Sequence, residues 1–232
     1  MFLFYTPDID LSPVLSEEES AHCVRVLRMT RGDEIVTTDG RGMFYYARIT
    51  NPHPKHCEFE IMRREQQQPT HPFHLHIAIA PTKNIERLEW MVEKCTEIGV
   101  DEITPLLCRF SERKLIRTDR LEKIMLSAAK QSLRPYFPHL NPLTDYNTFV
   151  AGANEQTRFI AHCYKEDKRL LRNAIQPRQS CLVLIGPEGD FSPEEVQLAL
   201  DKGFVPVSLG NSRLRTETAG VVACHTAILM NE

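Results

Sequence analysis

Two short strings near the C-terminus carry the residues best placed for chemistry. The first reads Gly186-Pro187-Glu188-Gly189-Asp190-Phe191-Ser192-Pro193-Glu194-Glu195 and follows the apolar run Cys181-Leu182-Val183-Leu184-Ile185. That run has the length and flanks of a fully buried strand. The glycines of the turn let another group approach the backbone closely. Ser192, Pro193 and Glu195 form a capping box with proline at the first helical position. The string is therefore a strand-to-helix turn, and the free N–H groups of a helix start open toward it. The second string, Leu209-Gly210-Asn211-Ser212-Arg213-Leu214-Arg215-Thr216-Glu217-Thr218-Ala219, repeats the plan. It follows the strand-like run 205–209 and leads into a helix expected over about 216–230. Two backbone-rich loops beyond two strand ends outline a binding site.

Other chemistries are less well served. There is no G-x-G-x-x-G after a strand, no G-x-x-x-x-G-K-[ST], and no lysine or arginine between Gly186 and Glu195 to meet a phosphate. Of His53, His56, His71, His74 and His76, the pair His74 and His76 would share one strand face, but no cysteine lies suitably near that pair and a His-Pro-rich linker is the blander reading, so no metal site is expected. The seven cysteines (23, 57, 95, 108, 163, 181, 224) are scattered without a C-x-x-C, which reads as buried free thiols in a reducing compartment. Cys163 and Cys181 lie in strand-like apolar runs, where a thiol is usually inert.

The elements that must hold these loops follow from periodicity. Phe73, Leu75, Ile77 and Ile79 alternate with His74, His76, Ala78 and Ala80 as in a strand. Leu88, Met91, Val92, Cys95 and Ile98 recur at helical spacing before Gly99. Further strands are expected at 103–107, 158–163, 181–185 and 205–209, and helices at about 121–128, 166–175, 193–202 and 216–230. Alternating strands and helices imply an α/β layer with a mainly parallel sheet. The first sixty-odd residues differ: strands at 2–5, 34–38, 43–49 and 57–62, the Asp39-Gly40-Arg41-Gly42 hairpin signal and one helix capped by Ser16 and Glu19 suggest a small β-barrel. The polar, proline-bearing run 65–72 separates the two parts, giving expected domains 1–68 and 73–232.

At 232 residues, with 42% hydrophobic and 25% charged content, the composition is that of a globular protein. No apolar run is long enough to span a membrane, and the N-terminus lacks the basic region of a signal peptide, so a cytoplasmic location is expected. A net charge of −3 does not announce nucleic-acid binding. Locally, residues 109–123 hold six basic against three acidic side chains, and Arg25, Arg28 and Arg31 form a second cluster close to His22. Such runs are also what solvated helix faces look like.

The strings GPEG-x-FS-x-E-E and LG-x-x-x-LRTETA, with KNIERLEWMVEKCTEIGVDEITPL and KQSLRPYFP, resemble the RsmE family of ribosomal small-subunit RNA uridine N3-methyltransferases, in the SPOUT superfamily. The resemblance covers the chain. It implies an α/β domain tied in a C-terminal trefoil knot, an N-terminal PUA-like RNA-binding β-barrel, and a homodimer. It also implies S-adenosyl-L-methionine as cofactor and 16S ribosomal RNA, methylated on the assembled small ribosomal subunit, as substrate; neither a membrane nor a metal is implied. The cofactor residues so implied are His162, Leu184, Gly186, Pro187, Gly189, Leu209, Gly210, Leu214, Arg215 and Thr218. Arg215 is expected to stabilise a developing uridine anion, and Glu217 or Glu188 to accept the N3 proton. His22, Arg25, Arg28, Arg109, Arg113 and Lys114 are the implied RNA-binding residues. The chain departs from the family pattern at Asp190, where glycine is frequent, at Ser212, and at Lys130, where glutamate is usual. Two other readings remain at this point: a non-catalytic RNA-binding ribosome-assembly factor, and an enzyme that holds a different nucleotide on the GPEG turn.

Overall fold

The structure is a computed structural model that describes residues 2–165 and 167–231. It divides into two compact units. One is the chain up to Pro69 together with Leu126–Phe137; the other is Thr70–Met125 together with the chain from Pro138 on. The segment 126–137, expected with the second part, thus groups with the first.

The N-terminal unit contains β1 (Leu3–Tyr5), α1 (Glu17–Ala21), a π-helical turn over His22–Val26, β2 (Glu34–Thr38), β3 (Met43–Asn51) and β4 (Glu58–Gln66). Strand order is β1-β2-β3-β4, with β1 parallel to β2 and the other pairs antiparallel. Among the described residues β1 and β4 do not pair, so in place of the expected barrel there is a four-stranded open sheet. Its outer edge at β4 is covered instead by the segment around Val14, which bridges Glu58, while the Leu15 N–H donates to the Cys57 carbonyl at 2.9 Å. Phe4, Ile9, Leu15, Ile35, Tyr45, Ile49 and Phe59 fill the core.

Three details in this unit differ from expectation. β4 runs to Gln66, into the polar run read as a linker, because the guanidinium groups of Arg63 and Arg64 lie over the rings of Tyr46 and Tyr45 on the paired strand. The hairpin turn is held from outside its own strands: a Cβ at Gly42 (φ +99°) would stand 2.2 Å from the Tyr136 ring. Finally, Ser16 accepts from the Glu19 N–H at 3.3 Å, but the Glu19 carboxylate does not complete the box; it is buried against the Lys130 ammonium. The departure at Lys130 therefore has a local partner in Glu19.

The second unit comprises β5 (Leu75–Ile79), α2 (Ile85–Ile98), β6 (Glu102–Leu107), α3 (Thr118–Gln131, its last turns in the first unit), β7 (His139–Leu140), β8 (Thr144–Asp145) and α4 (Tyr146–Gly152). After these come β9 (Thr157–Ala161), β10 (Arg169–Leu170), α5 (Leu171–Ala174), β11 (Cys181–Ile185), α6 (Pro193–Asp201), β12 (Val205–Ser208) and α7 (Thr216–Leu229). The sheet is parallel, with order β10-β12-β9-β11-β5-β6-β7, and β8 extends β6. Helices cover both faces. Leu75, Ile77, Ile79, Val183 and Ile185 pack with α2, α3 and α7; Ala78, Ala80, Leu182 and Leu184 pack with α4 and α6. The alternation in β5 therefore separates two buried layers rather than core from solvent, as parallel sheets require. Of the helix expected over 166–175, residue 166 lies outside the described residues, and over the rest Arg169 and Leu170 join the sheet beside β12, leaving α5 one turn.

Three neighbouring strands, β12, β9 and β11, run in the same direction. Their following loops, 209–215, 162–168 and 186–192, consequently emerge side by side. After β12 the chain passes back so that α7 packs on α2, β5 and β11, two strands away from its own strand. Gly220 permits that approach: a Cβ there would lie 3.0 Å from both Ile79 Cδ1 and Met91 Cγ.

Candidate active site

Two adjoining cavities, of ≈ 400 and ≈ 510 Å³, lie where the three loops meet and share Ala161, Cys163, Asp190, Arg213, Leu214 and Ala219. The first is walled by Gly186, Pro187 and Glu188 after β11 and by Arg215, Thr216 and Glu217 at the start of α7, with Arg87 of α2 opposite. The second is walled by His162, Tyr164 and Lys168 after β9 and by Leu209 and Gly210 after β12. Their combined size is that of a small-molecule site, and the walls alternate apolar surface with a few charged groups.

Local chemistry explains how each loop is held. In the first string the capping box forms in full: Ser192 Oγ accepts from the Glu195 N–H at 3.2 Å, and Glu195 Oε2 accepts from the Ser192 N–H at 2.7 Å. Glu195 Oε1 also accepts from the Arg109 N–H at 2.8 Å, fastening the loop after β6 to the same helix start. The loop after β9 is drawn in by Lys168, whose ammonium donates to the carbonyls of His162 and Tyr164. In the third loop Gly210 has φ +147°, and a Cβ there would meet nothing within 4 Å, so its backbone faces open space. Ser208 Oγ donates to the Gly210 carbonyl at 2.9 Å and closes that turn.

Asp190 joins two of the loops. It adopts φ +67°, the left-handed conformation for which glycine is the usual choice. Its Oδ2 accepts from the Cys163 N–H at 2.7 Å and its Oδ1 from the Phe191 N–H at 2.8 Å. The departure from glycine thus brings a carboxylate that ties the loop after β11 to the loop after β9. Burial and the Asp190 charge push the Cys163 thiol above its ordinary pKa, and burial pushes Cys181 up to about 12. Both remain thiols at neutral pH, which argues against a cysteine nucleophile.

The charged groups around α7 are arranged unequally. Arg215 is the N-cap residue and is exposed, whereas Glu217 in the first turn is only 7% exposed. Glu217 Oε1 lies 3.8 Å from Arg87 Nε, so its ionic partner comes from α2 rather than from neighbouring Arg215. Its Oε2 is buried and, among the described residues, accepts no hydrogen bond. Glu188 is exposed and its Oε1 accepts from the Lys83 N–H at 2.9 Å, which fixes the turn after β5 to the turn after β11.

The residues implied by resemblance are therefore distributed as follows. Gly186, Pro187, Glu188, Arg215 and Glu217 meet in the first cavity, His162, Leu209 and Gly210 in the second, and Leu214 in both. Leu184 lies in the opposite core with α6 while its neighbour Ile185 reaches the cavity. Gly189 packs against Phe110, 3.1 Å from where its Cβ would be, and Thr218 lines a separate hollow beside α2. Arg109 and Lys114 are exposed, but Arg113 donates to the carbonyls of Thr82 and Lys83 at 3.2 and 2.8 Å and serves as an anchor for that turn. In the N-terminal unit Arg25 and Arg28 are exposed, Arg28 at φ +57°, while His22 packs edgewise on Phe2. Arg87, Asp190 and Lys168 complete the site unforeseen. Only Asp190, a non-glycine after a glycine turn, carried a signal in the sequence.

The site suits S-adenosyl-L-methionine. Ala161, Leu209, Leu214 and Ala219 offer apolar surface for a base, and the open Gly210 backbone lets it come close. Asp190, Glu188 and Glu217 offer negative charge to a sulfonium and an ammonium. Expectations about metal stand apart: no group of side chains that could hold an ion is found among the described residues. His74 and His76 are engaged by Glu102 and by Glu155 with Thr104. Among the described residues no helix is long and apolar enough to cross a membrane.

Comparison with known proteins agrees with this geometry. An RNA methyltransferase domain model matches residues 69–228, and an RNA methyltransferase PUA domain model matches residues 15–62. Ribosomal RNA small subunit methyltransferase E of Synechocystis is 30% identical over 93% of this chain and 72% of its own length. A crystal structure described as a probable rRNA-methyltransferase from Porphyromonas gingivalis is 46% identical, with a TM-score of 0.94 over 99% of both chains. A ribosomal RNA small subunit methyltransferase E from Neisseria gonorrhoeae, bound to S-adenosyl methionine, is 27% identical with a TM-score of 0.86, covering 100% of this chain and 98% of that one.

Proposed function

The chain belongs to the RNA methyltransferase family that includes ribosomal RNA small subunit methyltransferase E, and on that premise we propose that it methylates N3 of a uridine in 16S ribosomal RNA. The observation that carries this reading is the meeting of three loops at the ends of adjacent parallel strands around one divided cavity. The cofactor residues are those lining it: His162, Gly186, Pro187, Leu209, Gly210, Leu214 and Arg215. When bound there, S-adenosyl-L-methionine supplies an electrophilic methyl group. The return of α7 beneath β5 and β11 supports a trefoil knot, which holds the loops around the cavity.

The protein's own residues then have two tasks. Uridine N3 carries a proton, so the site must favour its loss. Arg215, exposed at the rim, stabilises the anion that develops on the base. Glu217 takes the proton on Oε2, the oxygen that has no other hydrogen-bonding duty. Glu188, occupied by the Lys83 N–H, holds the turn instead. The exposed Arg25, Arg28, Arg109 and Lys114 hold phosphates of the assembled small subunit, giving a salt-dependent affinity. The enzyme acts in the cytoplasm as a homodimer, for which Val221, Val222, Ile228 and Leu229 on α7 offer apolar surface.

Calorimetric titration with S-adenosyl-L-methionine tests the reading. The wild type is expected to bind and Gly210→Trp, which fills the open space beside that backbone, to lose binding while remaining folded. A folded wild type that does not bind the cofactor would instead be a non-catalytic assembly factor.

A further inference from the structure

Beside the first cavity lies another hollow of ≈ 410 Å³, lined by Trp90 and Thr218 and sharing Arg87, Arg215 and Glu217 with it. Trp90 is 44% exposed, although it is the chain's sole tryptophan and sits on α2, whose Leu88, Met91, Val92 and Cys95 are buried. A large aromatic left open in a concave site is a stacking surface for a flat ligand. Beside it stand two guanidinium groups and a carboxylate that is itself nine-tenths buried, with one oxygen lacking any hydrogen-bond donor. Buried acceptors are normally paired, so that oxygen calls for a donor from a ligand.

We propose that this hollow receives the target base as a uracil, stacked on Trp90 with its Watson–Crick edge turned to Arg87, Glu217 and Arg215. The assignment rests on the methyltransferase reading above and supplies its missing substrate site. A uracil edge presents a carbonyl, an N–H and a second carbonyl in succession. Two donors and one acceptor are the complementary set, and Arg87, Arg215 and Glu217, which line the hollow together, supply groups of those kinds. Cytosine presents a bare acceptor at N3, which would face the Glu217 carboxylate without a proton between them. The hollow shares Arg87, Arg215 and Glu217 with the first cavity, so a base seated here lies next to the site that would hold the cofactor. Trp90 is in this account a binding residue, and Arg87 positions Glu217 by its ion pair.

Because Trp90 is the only tryptophan, its emission reports on this hollow without any substitution. The full-length protein, saturated with S-adenosylhomocysteine, is titrated with single-stranded hexanucleotides that differ only in carrying one uridine or one cytidine. Saturable quenching by the uridine strand, at least several-fold tighter than by the cytidine strand, is expected. Trp90→Ala should raise KM for undermethylated small subunits about ten- to hundred-fold, the span of one lost base–aromatic stack, with cofactor affinity unchanged. Trp90→Phe should restore most of the loss. Equal quenching by both strands, or emission that ignores RNA and shifts only with protein concentration, would overturn the proposal, the latter placing Trp90 in a contact between copies. So would an unchanged KM in a folded Trp90→Ala. Failure of the wild type to bind S-adenosyl-L-methionine by calorimetry would instead remove the methyltransferase reading beneath it.

Discussion

Substitution of Asp190 separates backbone strain from loop coupling at a single residue. The left-handed backbone costs a residue with a Cβ roughly 1 kcal/mol or somewhat more, less for Asp than for Ala. Against this, Oδ2 accepts from the Cys163 N–H at 2.7 Å and Oδ1 from the Phe191 N–H at 2.8 Å. A hydrogen bond to a charged acceptor contributes about 1.5–3 kcal/mol when shielded, and these are partly open to solvent, so together they contribute about 2 kcal/mol. Asp190→Ala loses the bonds and keeps the strain, for a cost of about 2 kcal/mol. Asp190→Gly loses the bonds but relieves the strain, partly offset by about 0.5–1 kcal/mol of unfolded-chain entropy, leaving about 1–2 kcal/mol. Asp190→Asn keeps an acceptor and tolerates the backbone, so it costs least, about 1 kcal/mol. The expected order of stability is Asp, Asn, Gly, Ala, read from urea midpoints at a shared slope. Cofactor affinity should follow the tie to Cys163 instead, falling alike in Gly and Ala and less in Asn. Ala more stable than Gly would refute the strain argument. Gly with wild-type cofactor affinity would refute the claim that Asp190 couples the two loops.

Other expectations follow from carboxylates with assigned partners. Glu195→Ala leaves the N–H groups of Ser192 and Arg109 without their acceptor and should lower stability by about 3 kcal/mol in urea titration, with Glu195→Gln costing roughly half. A loss below about 1 kcal/mol would mean that water replaces it. Lys130→Met strips the buried Glu19 of its counter-charge and should destabilise the chain by about 3 kcal/mol; the double variant Glu19→Leu/Lys130→Met should recover most of it. The His74–Glu102 bond gives a pH window. The hydrogen bond from His74, against some desolvation, holds Glu102 down at about 2, and the bond to Glu102 raises His74 above 6.5. The Glu102 contribution is present above pH 4.5 and fades toward pH 2. The His74 contribution is full below pH 6.5 and fades as pH rises through its raised value. The thermal midpoint difference between wild type and His74→Ala should therefore be largest between about pH 4.5 and 6.5. A difference that does not shrink by pH 9 would contradict the assignment.

What could be read from the sequence was chemistry between near neighbours. Strand β11 and the start of α6 were placed by an apolar run and by Ser192, Pro193 and Glu195, whose partners lie within three residues. The helix over Tyr146–Gly152 carried the same kind of signal, since Asp145 Oδ1 accepts from the Thr148 N–H at 3.0 Å, but no apolar period stood beside it to draw attention. Where the reading went astray, a distant residue had intervened. Glu19 has the spacing of a capping box, yet its carboxylate pairs with a lysine more than a hundred positions away. Residues 167–175 lost most of an expected helix because β12 offered Arg169 and Leu170 a strand to pair with. Each of these errors concerns the partner of a side chain or backbone group, which no local period encodes. The functional consequence is particular: a sequence names the carboxylates, but only the fold shows that Glu195 commits both oxygens to backbone N–H groups, that Glu188 is exposed with one oxygen on the Lys83 N–H, and that Glu217 keeps a buried oxygen unclaimed among the described residues. In the proposed mechanism that inequality, rather than the two strings in which the carboxylates occur, is the ground for giving the proton to Glu217.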